Sequence, residues 1–279
     1  CNVKYKIYVV DNNSQVKPTH EEMEYLHSNT NTVLILNKTN KGYSAGNNIG
    51  IKKALEDNCD QVLISNNDVI FRANSIEVLS KFLKANPEYG MVGPKVLLPD
   101  GKLQELQLGC KFTLTGKYKY ILRKTPFKFI GKNYVEKFTL KNEALDDITD
   151  VFSLHGCCFM LSSSALMHLF PLDENTFLYE EENIMGVKLE QAKLKAAINP
   201  DSVVIHLGGA STNQMSDFSY RCLVYSELYY CRKYLLASKF KMFPLFLIRL
   251  YGEITRFGVK KIPSFYKNTW ELMKEIDKL

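Results

Sequence analysis

KIYVVDNNS, residues 6–14, is an apolar, β-branched run that stops at polar residues, and it reads as a buried strand opening into a loop. QVLISNND at 61–68 repeats the theme, and VLIL at 33–36 supplies a second short strand between them. Between these runs the period changes. Thr19 to Ser28 and Ile51 to Glu56 read as helices, the second led in by a Gly/Asn-rich turn at 42–50. Strand, loop and helix therefore alternate. The expectation is an α/β fold with a mostly parallel sheet flanked by helices, in which ligands bind beyond the strand C-termini.

Farther along, Ser75 to Asn86 has the helical period, and Met91 to Leu98 reads as a strand closed by Pro99-Asp100-Gly101. The stretch 103–150 is rich in Lys and aromatics and has no clear period. Residues 151–161 are apolar, 162–170 and about 177–197 read as helical, and SVVIH at 202–206 is another short strand. A helix with many aromatics is expected over 217–238, then a basic apolar segment that includes FPLFLIRLY at 243–251. Two units follow: an α/β domain over 1–214 and a C-terminal helical extension over 215–279.

The chain has 279 residues, 46% hydrophobic and 24% charged, which excludes wholesale disorder and fibrous architectures. A net charge of +6 suits anionic partners such as nucleotides or lipid headgroups and falls short of a nucleic-acid footprint, so no nucleic-acid partner is expected. Seven cysteines without a C-x-x-C pair suggest neither a zinc ribbon nor a disulfide framework and point to a reducing, cytoplasmic location. No run approaches the roughly 20 apolar residues of a membrane span, and no signal peptide is visible. Cys1 rather than Met opens the chain, as in a trimmed or truncated product.

Several residues stand where chemistry is done. Asp11 ends the first strand, where a carboxylate either accepts hydrogen bonds from a nucleobase or ribose or closes an Asx-turn. Asn40 to Asn48 combines glycines that permit close backbone approach with amides, ahead of a helix N-terminus suited to an anion; an ordinary capped loop has the same composition. Asn66-Asn67-Asp68 offers hard oxygen ligands for Mg²⁺ or Mn²⁺, or a hydrogen-bonded turn. Glu180, Glu181 and Glu182 head a helix, where acids serve as caps. Repulsion and burial there also raise a carboxyl pKa toward that of a general base. His206 ends SVVIH as a metal or phosphate ligand or as a structural histidine, and His20, His27, His155 and His168 have no partner by spacing.

Taken in order, VVDNNS at 9–14, NKGYSAGNNIGI at 40–51, LISNNDVIF at 63–71, GPKVLLPDG at 93–101, HGCCFMLS at 155–162, FLYEEENIMGVKL at 177–189 and PDSVVIHLGGAS at 200–211 form a pattern. It resembles family 2 glycosyltransferases of the GT-A fold, particularly bacterial rhamnosyltransferase-like members. The resemblance implies a nucleotide-diphospho-sugar donor, UDP- or dTDP-linked, a divalent Mg or Mn, and a saccharide or lipid-linked acceptor in cell-surface polysaccharide synthesis. It puts the base-recognising acid on Asp11, beside Asn13. The N-x-G-x-x-x-G-N-N loop falls on Asn40, Gly42, Gly46, Asn47 and Asn48, and the D-x-D equivalent on Asn66 to Asp68, with Asn67 toward the nucleotide. The acid pair falls on Glu181 and Glu182, with Glu182 as base, and the late metal-side histidine on His206.

Three departures from the family accompany this. Asn66 replaces the first acid of D-x-D, Glu182 stands for the usual Asp, and the family's opening strand, ending in Tyr-Asn, and its helix do not precede Cys1. That strand lies centrally in the family's sheet, so a chain without it is expected to bury less core and lose nucleotide contacts. Asn66 also keeps open a non-catalytic partner or sugar-binding subunit of the same fold. A nucleotidyltransferase would need a Gly-rich loop with Arg after the first strand, and none occurs here. In the extension, Arg232, Lys233, Lys239, Lys241 and Arg249 alternate with aromatic and aliphatic residues, which suits peripheral contact with the inner face of a membrane or a helix packed on the domain.

Overall fold

A computed structural model describes residues 3–105, 108–122, 126, 128–140, 145–208, 216–257 and 267. The chain opens with β1 (Ile7–Asp11), α1 (His20–Ser28), β2 (Thr32–Leu36), α2 (Tyr43–Glu56), β3 (Gln61–Ser65), β4 (Val69–Phe71), α3 (Ser75–Ala85) and β5 (Tyr89–Leu97). There follow α4 (Leu114–Leu122), α5 (Lys132–Thr139), β6 (Thr149–Val151), β7 (Cys158–Ser162), α6 (Ser163–Leu169) and α7 (Glu181–Gln191). The last elements are β8 (Lys195–His206), α8 (Asp217–Lys233) and α9 (Lys239–Phe257). Helix starts carry their expected chemistry: Thr19 and Glu22 form a reciprocal capping box on α1, and Ser162 Oγ accepts from Ala165 N to cap α6.

The α/β class expected from the sequence is what the chain adopts, while strand direction within it is mixed. β1 and β2 form a parallel pair of their own. The main sheet runs β3-β7-β5-β8-β4, with β6 also on β8. Among the described residues only β5 and β8 are parallel there; β3 with β7, β5 with β7, β4 with β8 and β6 with β8 are antiparallel. Apolar runs buried on both faces read alike in either direction, so the expectation of a mostly parallel sheet had no local signal to correct it.

Period-two alternation divides the core. Met91, Phe159, Leu161, Ala196 and Ile198 face a cluster built with α2, α6 and α7, while their neighbours Val92, Met160 and Ala197 face Leu79 and Leu83 of α3. A separate cluster joins Ile184 and Val187 of α7 to Tyr220, Leu228 and Tyr230 of α8 and to Met242 and Leu245 of α9. The extension thus shares apolar core with the helix that carries the acidic triplet.

Several element boundaries differ from expectation, among them α8, which stops at Lys233 rather than at Ser238. The Gly/Asn-rich segment is not a turn, because α2 begins at Tyr43. Glycine and asparagine are weak helix formers, but here Gly46 and Gly50 let α2 approach Asn12 and Val10, and packing overrides propensity. Helix α7 stops at Gln191 rather than near Ala197, and β8 runs from Lys195, longer than SVVIH. Within 103–150 lie α4, α5 and β6. Residues 209–211 of the last sequence motif lie outside the described residues.

Candidate active site

The Gly156–Cys157 dipeptide, just before β7, is where the predicted segments meet. Gly156 N donates to Glu182 Oε1 at 3.0 Å, and Gly156 O accepts from Tyr43 Oη at 2.7 Å. Cys157 O accepts from Asn66 N at 2.8 Å, which ties down the turn carrying Asp68. Burial, with the charges of Glu182 and Asp68 adding to it, pushes the Cys157 thiol up to about 12, so it stays an inert thiol flanked by both acids. A Cβ at Gly156 would stand 2.9 Å from Glu182 Oε1, so a side chain there would displace the carboxyl group. Burial, then Glu182 and Glu181, push the Tyr43 phenol well up, which keeps it a neutral donor.

Adjacent glutamates face different surroundings because consecutive helical residues point about 100° apart. Glu182 is half-buried and faces Gly156. Glu181 is 5% exposed, and its Oε1 has no hydrogen-bond partner among the described residues. Burial, reinforced by Glu182, raises its pKa to about 9. Burial therefore disfavours the charged form of Glu181, whereas half-buried Glu182 is the carboxyl group that Gly156 N engages. Because the folded value is raised from 4.5 to about 9, the stability contributed by the bound proton is present below pH 4.5 and lost as pH rises toward 9. Glu181→Gln mimics the protonated form. Denaturant titrations should show equal stability near pH 5 and a variant advantage growing by on the order of 1 kcal/mol per pH unit above it. A gap that stays constant from pH 5 to 8 would remove the assignment.

Asp68 and His206 come together at the other end of this dipeptide. Val69 pairs with His206 in the β4–β8 ladder, which sets Asp68 Oδ1 3.3 Å from His206 Nε2. Asp68 Oδ1 is buried and has no hydrogen-bond partner among the described residues. His206 Nδ1 lies 2.8 Å from Gln104 Oε1. A neutral imidazole donating from Nδ1 presents its Nε2 lone pair to the carboxylate, so two acceptors face each other where a cation would satisfy both. An oxygen and an imidazole nitrogen suit a divalent ion such as Mn²⁺, although no group of three or more potential ligands is gathered among the described residues. The His155 ring lies 6.3 Å from that of His206. That neighbour lies far along the chain, so spacing does not reveal it.

On the β1 side, Asp11 closes the Asx-type turn: Oδ1 accepts from Ser14 N at 2.7 Å and Oδ2 from Lys17 Nζ at 3.0 Å. Those bonds hold its pKa down to about 2. Asn12, not Asn13, makes the connection to α2. Its Nδ2 donates to Asn40 Oδ1 at 3.0 Å and to Gly42 O at 2.9 Å, while Asn13 takes a left-handed φ of 61° with its Oδ1 3.4 Å from Lys17 Nζ. Asn40 Oδ1 also accepts from Gly42 N at 2.9 Å. Gly42 caps α2, and Tyr43 N bonds Phe177 O at 2.9 Å, so this loop lies directly on the segment leading to the glutamates. Asn47 Nδ2 donates to Tyr43 O at 3.1 Å, and Asn67 is exposed. Asn48 is turned inward: Leu172 N, Leu172 O and Glu174 take up its amide, so it fastens a loop instead of facing a ligand.

One frame thus carries Glu182, Tyr43, Asp68 and His206 around the Gly156–Cys157 dipeptide, with Asp11 and Asn40 joined to it through Asn12 and Gly42. Residues 2–170 match the profile described as Glycosyl transferase family 2. The low-salt glycan biosynthesis hexosyltransferase Agl10 of Haloferax volcanii is 27% identical over 179 residues, which are 62% of this chain and 50% of that protein. The chain therefore spans about half the length of this curated relative. The crystal structure of GalNAc-T7 with UDP, GalNAc and Mn²⁺ superposes with a TM-score of 0.56 at 15% identity, covering 82% of this chain and 43% of that one. At that identity the superposition establishes the GT-A fold, and the profile match over more than half the residues establishes the rest: the chain belongs to glycosyl transferase family 2.

Proposed function

We propose that the protein transfers a sugar, with inversion, from a UDP- or dTDP-linked donor to a hydroxyl of a saccharide or lipid-linked acceptor in cell-surface polysaccharide synthesis. The observation that carries this reading is the meeting of Glu182, Tyr43 and the Asp68–His206 pair at the Gly156–Cys157 dipeptide. Glu182 takes the proton of the acceptor hydroxyl. The freed oxygen bonds to the anomeric carbon as the bond from that carbon to the diphosphate oxygen breaks, and one in-line displacement inverts the configuration. The Gly156 N–H holds the accepting carboxylate in place, and Tyr43 anchors the same residue through its carbonyl. Asp68 and His206 would hold Mg²⁺ or Mn²⁺, which when bound supplies positive charge for the leaving diphosphate. Asp11 and Asn13, with Asn40, Gly42, Gly46, Asn47 and Asn67, form the nucleotide side of the site.

A thermal-shift panel of nucleoside diphosphates with Mn²⁺ or Mg²⁺ tests the donor half. At 100 times its dissociation constant the matching nucleotide should add about 2.7 kcal/mol, read as a clear rise in the melting midpoint. Asp68→Asn should erase the metal-dependent part of that rise. No response to any nucleoside diphosphate with either ion would defeat the donor assignment.

The same proposal places the protein at the cytoplasmic face of a membrane. Among the described residues no helix is long and apolar enough to cross one. Helix α9, however, turns Phe240, Phe243, Leu247, Ile248 and Tyr251 outward along one face, beside exposed Lys241, while Arg249 and Glu253 point inward. An apolar stripe edged by basic residues suits an anionic surface, where a lipid-linked acceptor would be presented. Among the described residues six cysteines are free thiols, in keeping with a reducing compartment. Liposomes containing anionic lipid should float the wild type, and Phe240→Ser/Leu247→Ser should abolish flotation; equal flotation of both would remove the membrane contact.

A further inference from the structure

A buried ionic cluster behind the acidic triplet has no part in the chemistry above. Lys117 of α4 is fully buried, with Nζ 2.7 Å from Glu180 Oε1 and 3.6 Å from Glu227 Oε1 of α8. The ammonium also sits 3.9 Å from the Phe112 ring centroid. Arg249 of α9 grips Glu227 with both arms, Nε to Oε2 at 2.6 Å and Nη2 to Oε1 at 2.8 Å. Burying charges is costly, and apolar residues of similar volume often serve stability as well or better. Stability alone therefore gives no reason for the cluster to be ionic.

The backbone beside it supplies one. Tyr179 and Glu180 have φ of 74° and 69°, two successive non-glycine residues in the left-handed region at the head of α7. Such a pair persists only where its surroundings over-determine it. Here Glu180 Oε1 takes the Lys117 ammonium, Glu180 Oε2 takes Asn183 Nδ2 at 3.1 Å, and Leu178 O takes Ser226 Oγ at 2.8 Å. Two residues later the chain presents Glu182 to Gly156. We propose that Lys117 is a positioning residue for transfer: its buried ion pair with Glu180 pins the left-handed turn that aims Glu182. Through it, α4, α8 and α9 act on the reaction centre without touching substrate. The inference rests on reading Glu182 as the base.

The test compares the wild type with Glu180→Gln, Lys117→Met/Glu180→Gln and Glu182→Gln. Melting midpoint is measured beside kcat and KM for release of nucleoside diphosphate from the donor that the panel selects. The double variant removes both charges and leaves Glu227 to Arg249, so the midpoint should stay near that of the wild type. Its kcat should fall about 100-fold with KM unchanged, the cost of misplacing a reacting group by roughly 1 Å. A folded double variant with kcat within about threefold of the wild type would overturn the proposal, since a merely structural pair regains activity together with stability. Should the double variant not fold, Glu180→Gln decides, because it keeps the shape and leaves Lys117 its Glu227 partner. A loss of about fivefold or more in kcat at constant KM supports the role, and a smaller change overturns it. Full turnover by Glu182→Gln would instead mean that the base reading has failed, a separate result.

Discussion

Glu182→Gln should lower transfer by about 1,000-fold or more while leaving nucleotide binding within about twofold of the wild type, since a general base commonly contributes 10²–10⁴ in rate. The substitution keeps length and shape, and the amide oxygen still accepts from Gly156 N, now found at 3.0 Å from the carboxylate. Only the capacity to take a proton is lost. Calorimetric titration with the nucleoside diphosphate, run beside a transfer assay, separates the two effects. Turnover that survives intact would end the assignment. Glu181 could not simply inherit the role, because its burial disfavours the charged form.

The second large effect is expected at Gly42→Ala. Gly42 has φ 98° and ψ −179°, a region that is essentially glycine-only and costs other residues about 1–3 kcal/mol. A Cβ there would also lie 2.4 Å from Phe177 O and 2.7 Å from Phe177 Cα, both backbone atoms that no rotamer change can move aside. Strain and overlap together should cost about 3–5 kcal/mol, which is exceptional for one methyl group. Since Tyr43 N bonds Phe177 O, whatever relieves the clash also pulls the nucleotide loop from the acidic turn. Chemical denaturation reads the first effect and nucleotide affinity the second. A variant as stable as the wild type, with unaltered nucleotide affinity, would show that the two segments are not held in this contact.

Much of the frame could be read from the sequence because its signals are local. VVDNNS, QVLIS and the helix over Thr19 to Ser28 announce themselves through β-branching, polar stops and helical period. Features that depend on distant partners did not. Asn12 and Asn13 are equivalent in a sequence, and only the approach of Gly42 and Asn40 shows that Asn12 is the one engaged. Asn48 belongs to the same amide-rich motif as Asn47, yet its contacts come from Leu172 and Glu174, more than 120 residues away. Lys117 lay in the stretch without a clear period, where a lysine is ordinarily taken for surface; its burial is set by Glu180 and Glu227, from elements far along the chain. The separate environments of Glu181 and Glu182 follow from helix geometry, but which of them faces Gly156 depends on where α7 begins.

The split of the strands into two sheets bears on how the molecule breathes. Among the described residues β1 pairs only with β2, and β3 only with β7, so α2 is what fastens the small pair to the large sheet, through Val10 against Gly50 and through Tyr8 and Lys6 on Asp57. A two-stranded unit is marginal by itself. Amide protons of β1 and β2 should therefore exchange with solvent faster than those of β5 and β8, and the loop holding Asp11 and Asn12 rides on that looser raft. A nucleotide bound beside Asp11 would then show itself as slowed exchange in this small unit.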